Sequence, residues 1–247
     1  MTRIDTLIET ADGACRATLH TTDDAAPRPG VLYYPDAGGV RETFSAMADR
    51  LAERGYAVLL PDIYYRTPYE AFDTATLFDD PAELARLGAL AGTVTPDHVV
   101  RDAGAFLGAL TARSEVAGGR VGVVGYCFGG GMALRAAGHH PDVVAAAATF
   151  HGGNLAVADD PTSPHLLADR IRAAVYIGAA TDDAVFGADQ HERLQQAFDA
   201  AGLDATIETY PAAHGFAVPD NPTHDAEADR RHLAAMTALL GAALTGR

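Results

Sequence analysis

The residues best suited to chemistry in this 247-residue chain are Cys127, His214 and the adjacent pair Asp182-Asp183. Cys127 lies in Gly125-Tyr126-Cys127-Phe128-Gly129-Gly130. The apolar residues before it read as a strand, and those after it, from Gly130 to Gly138, read as a helix. A glycine two positions to either side of a nucleophile is what a cramped strand-to-helix elbow requires, because strand, turn and helix crowd one another there. Such an elbow lifts the side chain above the sheet edge. The new helix N-terminus favours a thiolate, and its first N–H can donate to a developing oxyanion. The competing reading is a glycine-rich turn around a buried cysteine, which is common. The strand before and the helix after favour the elbow.

A thiol nucleophile needs a base, and the base needs an orienting group. The apolar run 173–177 leads into Gly178-Ala179-Ala180-Thr181-Asp182-Asp183, and the run 205–210 leads into Pro211-Ala212-Ala213-His214-Gly215-Phe216. Acid and histidine thus each follow a strand, and parallel strands would deliver both to the edge that carries Cys127. The other histidines are weaker candidates. His139-His140 precede Pro141 and read as a helix cap, while His191, His224 and His232 read as surface positions on helices or loops. No His/Cys/Asp spacing resembles a zinc site, so no metal is expected.

The elements that must hold these residues follow from the apolar pattern. Runs at 30–34, 56–60, 120–125, 143–150, 173–177 and 205–210 are short, rich in Val, Ile or Tyr, and bounded by Pro, Gly or Asp; they read as strands. Their near-continuous apolarity suits a parallel sheet covered on both faces. Helical stretches lie between them at 43–54, 96–113, 129–138, 188–201 and 226–244. Right-handed crossovers then give an α/β, mostly parallel, doubly wound sheet with helices on both faces, in one domain over 1–247. Residues 5–21 read as an antiparallel hairpin turning at Asp12-Gly13. Residues 64–95 are less regular and aromatic, and read as an excursion or lid over the strand ends.

Composition narrows the function. The net charge is -15, which repels nucleic acid and anionic membrane surfaces. All 18 basic residues are arginines, so a Walker A lysine, a pyridoxal Schiff base and a catalytic lysine are excluded. The N-terminus has no apolar signal-peptide core, and no apolar run is long enough to span a membrane, so a cytoplasmic location is expected. With Cys15 and Cys127 its only cysteines, the chain has no disulfide framework.

The chain resembles the dienelactone hydrolase family, from about Val31 to Phe216. The likeness rests on Tyr34-Pro35-Asp36-Ala37-Gly38-Gly39-Val40, on the stretch 54–62 (RGYAVLLPD), on the cysteine elbow and on Ala213-His214-Gly215-Phe216. The resemblance implies an α/β-hydrolase fold and a Cys-His-Asp triad of Cys127, His214 and Asp183 that opens a small ester or lactone through a thioester, without a cofactor. Asp183 aligns better than Asp182 with a helix beginning near Ala188, but the register between the two stays open; the bland reading of either carboxylate is a helix cap, and one of the two has that lesser role. The resemblance also implies that Asp36, where the family usually has glutamate, acts on the thiol, and that the backbone N–H groups of Ala37 and Phe128 form the oxyanion hole. Where well-known members place a carboxylate-binding arginine after the histidine, this chain has Val218; Arg66 and Arg86 are other candidate cations. The expected partner is a small ester or lactone, and the expected assembly a monomer or small homo-oligomer. Two other readings stay open: amide or peptide hydrolysis at the same triad, and a non-catalytic binding protein on this scaffold.

Overall fold

A computed structural model describes residues 1–24, 26–74 and 76–246. The chain opens with the hairpin strands β1 (Thr2–Thr10) and β2 (Gly13–Thr21), paired antiparallel around the expected turn. Six further strands follow: β3 (Arg28–Tyr34), β4 (Ala57–Pro61), β5 (Val116–Tyr126), β6 (Val144–Phe150), β7 (Ala174–Asp182) and β8 (Ala205–Ala213). They form one eight-stranded sheet in the order β1-β2-β4-β3-β5-β6-β7-β8. From β4 to β8 every neighbouring pair is parallel. The order reverses direction between β3 and β5, and at such a switch point the strand ends diverge and open a crevice.

Both faces of the sheet are covered, as the continuous apolar strands require. In β3, Val31 and Tyr33 point into one apolar layer, while Leu32 and Tyr34 point into the other. Helices α1 (Glu42–Ala52) and α6 (Ala226–Thr245) close the first layer through Phe44, Met47, Met236 and Leu240. Helices α3 (Pro96–Thr111), α4 (Phe128–His139) and α5 (Ala188–Ala201) close the second through Phe106, Leu110, Met132, Leu194 and Phe198. Arginine 120 begins the strand expected at 120–125, but β5 starts earlier, at Val116, where it pairs with Arg28.

Two sequence expectations are corrected. The helices read from the sequence omit one: the less regular segment 64–95 holds a 3-10 turn at Leu77–Asp79 and helix α2 (Pro81–Ala91). Asp80 caps α2 by accepting from the Ala82 N–H, and Pro81 sits in the first helical turn, a start signal that stands in the sequence. Helix α2 buries only Leu90 fully, so its apolar stripe is faint. His232 is not a surface residue. It is buried at the sheet face of α6, with its Nε2 3.2 Å from the Tyr126 hydroxyl and its ring 4.8 Å from that of Phe150. The charged run before it, Asp229-Arg230-Arg231, masks that inward face.

Candidate active site

The elbow forms between β5 and α4. Cys127 has φ 50 and ψ -113, a conformation that non-glycine residues rarely hold and that costs on the order of 1–3 kcal/mol. Its backbone is tied down to keep it there. The Cys127 N–H donates to Phe150 O at 3.1 Å, and its carbonyl accepts from Gly130 N–H at 3.0 Å and Gly153 N–H at 3.3 Å. The flanking glycines are required by space. A Cβ on Gly125 would lie 2.0 Å from Gly129 O, and one on Gly129 would lie 2.4 Å from Pro35 O. Phe128 is the first residue of α4, so its N–H is one of the helix's orphan donors.

Strands β7 and β8 deliver the acid and the histidine. His214 Nδ1 lies 2.8 Å from Asp183 Oδ2, and the Asp183 side chain is fully buried. The other Asp183 oxygen accepts from the Val185 N–H at 2.9 Å and the Phe186 N–H at 3.1 Å. Asp182 is exposed at the end of β7, and its carbonyl receives the His214 N–H at 2.9 Å. Burial opposes a charge on the His214 ring, but the hydrogen bond to Asp183 and the neighbouring Cys127 sulfur outweigh it, raising the pKa from 6.5 to about 10. The cysteine, the histidine and the aspartate thus meet at one sheet edge, and all three line a cavity of about 330 Å³.

Asp36 and Ala37, on the turn after β3, form the opposite wall. The Gly38 N–H donates to Asp36 Oδ1 at 2.9 Å, and the Gly39 N–H to Asp36 O at 3.0 Å. The Ala37 carbonyl accepts from the buried Tyr64 hydroxyl at 2.8 Å, which fixes this peptide over the cavity. Arg41 grips Asp36 with two hydrogen bonds, Nη1 to Oδ1 at 2.7 Å and Nη2 to Oδ2 at 2.9 Å. The hydrogen bonds of Asp36 therefore go to the turn and to Arg41 rather than to Cys127. Thr74, Leu77, Phe78 and Leu87 come from the excursion and roof the cavity. Among the described residues no group of His, Cys, Asp and Glu could hold a metal ion.

Sequence reasoning missed Arg41 and His151. Arg41 reads as an ordinary charge at a helix start, because its second partner, Asp220, lies far along the chain. His151 follows β6 with φ 39 and is buried against His214, with ring centroids 5.2 Å apart. Neither of its ring nitrogens has a hydrogen-bond partner among the described residues. Burial, helped by nearby His214 and His232, pushes its pKa well below the usual histidine range, so His151 is a neutral ring beside the candidate base. The signal that could have found it is its place directly after the largely apolar strand β6. Arg66 and Arg86 take no part in the cavity. Arg66 pairs with Asp12 and Asp102, and Arg86 with Glu83. Val218 is fully buried in the apolar layer.

A parallel sheet covered on both faces, with a strained cysteine elbow and a histidine–aspartate pair at its edge, is the α/β-hydrolase fold. The sequence pattern of the dienelactone hydrolase family matches residues 15–244, and the chain belongs to that family and is a hydrolase. A Methylorubrum extorquens protein, provisionally named a carboxymethylenebutenolidase, is 30% identical over 227 residues, covering 87% of this chain and 72% of that one. The Rhodococcus opacus carboxymethylenebutenolidase is 28% identical over 224 residues, covering 85% of this chain and 81% of that one. A crystal structure of a Klebsiella pneumoniae protein, provisionally called a dienelactone hydrolase, shares the fold with a TM-score of 0.82 at 24% identity, covering 97% of this chain and 98% of that one. No helix among the described residues is long and apolar enough to cross a membrane.

Proposed function

We propose that this hydrolase cleaves a small carboxylic ester or lactone with Cys127 as nucleophile, His214 as acid and base, and Asp183 as the orienting carboxylate. The observation that carries the reading is the 2.8 Å contact of His214 Nδ1 with a fully buried Asp183, beside the strained Cys127 elbow. Asp183 holds the proton on Nδ1 and leaves Nε2 for the sulfur. The thiolate attacks the acyl carbon, and the oxyanion sits between the backbone N–H groups of Ala37 and Phe128. The intermediate collapses to a thioester as His214 protonates the departing alkoxide. A water then gives a proton to His214 and attacks the thioester carbon. The acid product leaves, and the sulfur departs as thiolate to reform its pair with the protonated histidine. Asp36 acts on the thiol from the facing wall, with its charge attenuated by Arg41.

Two features favour an ester or lactone over an amide. A thiolate is a better leaving group than an amine, so an amide intermediate collapses back unless the amine is protonated early. The relatives' names also denote a lactone-opening enzyme. Intact-mass spectrometry during hydrolysis of p-nitrophenyl butyrate tests the reading. An added butyryl mass on Cys127, absent from Cys127→Ala together with turnover, is expected. Turnover by Cys127→Ala within about tenfold of the parent would refute it, since loss of a nucleophile costs orders of magnitude.

A further inference from the structure

Apart from the candidate triad, the cavity is walled by apolar side chains and by one arginine whose charge is already spent. Leu77, Phe78, Leu87 and Val185 supply the apolar surface, and Arg41 is the only arginine at the cavity among the described residues. A guanidinium has five N–H donors. In Arg41 all five are used. Nε donates to Asp220 Oδ2 at 2.7 Å, Nη2 to Asp220 Oδ1 at 2.9 Å and to Asp36 Oδ2 at 2.9 Å, and Nη1 to Asp36 Oδ1 at 2.7 Å and to Gly39 O at 3.3 Å. Asp220 is held further by the Thr43 hydroxyl at 2.7 Å. Two carboxylates, Asp36 lining the cavity and Asp220 behind it, against one guanidinium leave this side of the site with a net negative charge. The field of the whole chain, at -15, has the same sign.

We propose that the site selects esters or lactones that are uncharged and largely apolar near the acyl group, and that the Asp36–Arg41–Asp220 clamp turns carboxylate-bearing substrates away. This rests on the ester-hydrolase reading above and deepens it. A substrate carboxylate entering the cavity would have to break a bidentate bond that Arg41 already makes, and would meet uncompensated negative charge while losing its water. A neutral acyl chain meets Leu77, Phe78 and Leu87 at no such cost. The specificity comes from repulsion as much as from apolar fit. The chain therefore departs from the substrate that the relatives' names denote, a butenolide bearing a carboxymethylene group.

The test compares mono-p-nitrophenyl adipate with its methyl ester, p-nitrophenyl methyl adipate, which has the same acyl length and the same chromophore. After correction for spontaneous hydrolysis, kcat/KM is expected to favour the methyl ester on the order of 30-fold at low salt, the effect of one unit charge at about 8 Å and an effective dielectric near 20. The gap should shrink as sodium chloride is added, through a rise on the charged substrate alone. In Asp220→Asn the ratio of the two substrates should fall by roughly tenfold, on the same Coulomb arithmetic with partial screening. Equal rates, or a preference for the mono-adipate, would overturn the proposal and leave the ester-hydrolase reading standing. An unchanged ratio in a folded Asp220→Asn, as checked by circular dichroism, would remove the clamp as its cause. Failure to cleave either ester would overturn the hydrolase mechanism beneath it.

Discussion

Replacing Asp183 with asparagine removes one charge and, more tellingly, one acceptor. In the native site one carboxylate oxygen serves two backbone N–H groups, of Val185 and Phe186, and the other serves His214 Nδ1. Asparagine has a single oxygen, so the turn and the histidine compete for it. If the turn keeps it, the amide NH2 faces Nδ1 and selects the tautomer that points an N–H, rather than a lone pair, at the thiol. The magnitude follows from the histidine. Its rise from 6.5 to about 10 corresponds to about 5 kcal/mol of preference for the imidazolium. Asp183 supplies much of that against the cost of burial. We expect Asp183→Asn to lower kcat/KM for p-nitrophenyl butyrate by about three to four orders of magnitude, the scale seen when a triad acid becomes an amide. The Asp182→Asn variant, which removes an exposed carboxylate, should stay within a few-fold. Stopped-flow hydrolysis of both, with histidine titration by NMR, decides the matter. A loss below tenfold in Asp183→Asn, or an equal loss in Asp182→Asn, would refute the reasoning.

Iodoacetamide should label Cys127 and spare Cys15 in the native protein, because burial pushes the Cys15 thiol up to about 12; intact mass should show one adduct natively and two after denaturation. Gly129→Ala should unfold the elbow at a cost of several kcal/mol, since its Cβ would lie 2.4 Å from the Pro35 carbonyl; a urea midpoint unchanged from the parent would contradict this. The raised His214 pKa stabilises the folded protein fully below 6.5, and that contribution is lost as pH climbs through about 10; thermal midpoints should decline across this window more steeply in the parent than in Asp183→Asn. Asp36→Asn should speed alkylation of Cys127 near neutral pH, by less than a bare carboxylate would give because Arg41 already offsets its charge. Identical alkylation rates across a pH series would confine Asp36 to shaping the turn.

The cysteine elbow was legible because its constraints are local. Two glycines, a strand and a helix are all that the elbow needs, and each leaves a mark within fifteen residues. The strands were legible for a related reason: burial on both faces turns them into continuous apolar runs. Helix α2 was harder, because it lies over the cavity rather than in the core and carries little apolar periodicity. The choice between Asp182 and Asp183 could not be made from period alone. They are neighbours at the point where β7 ends, and a one-residue step at a strand end exchanges the outward side for the inward one.

What the sequence hid is the second partner of each charge. Asp36 appears as a carboxylate beside a nucleophile, and only the closing of the loop after His214 brings Asp220 to within 2.7 Å of Arg41 and locks Arg41 onto Asp36. Gly215 makes that loop possible: it holds φ 94, and a Cβ there would strike Asn221 at 2.5 Å. Gly215, the residue beside His214, therefore bears on the charge of the facing wall, through a loop return and one guanidinium. Local spacing reads the elbow, but the charge of the wall facing it is decided by contacts between residues far apart in the chain, as in the Arg41–Asp220 pair with a sequence separation of 179.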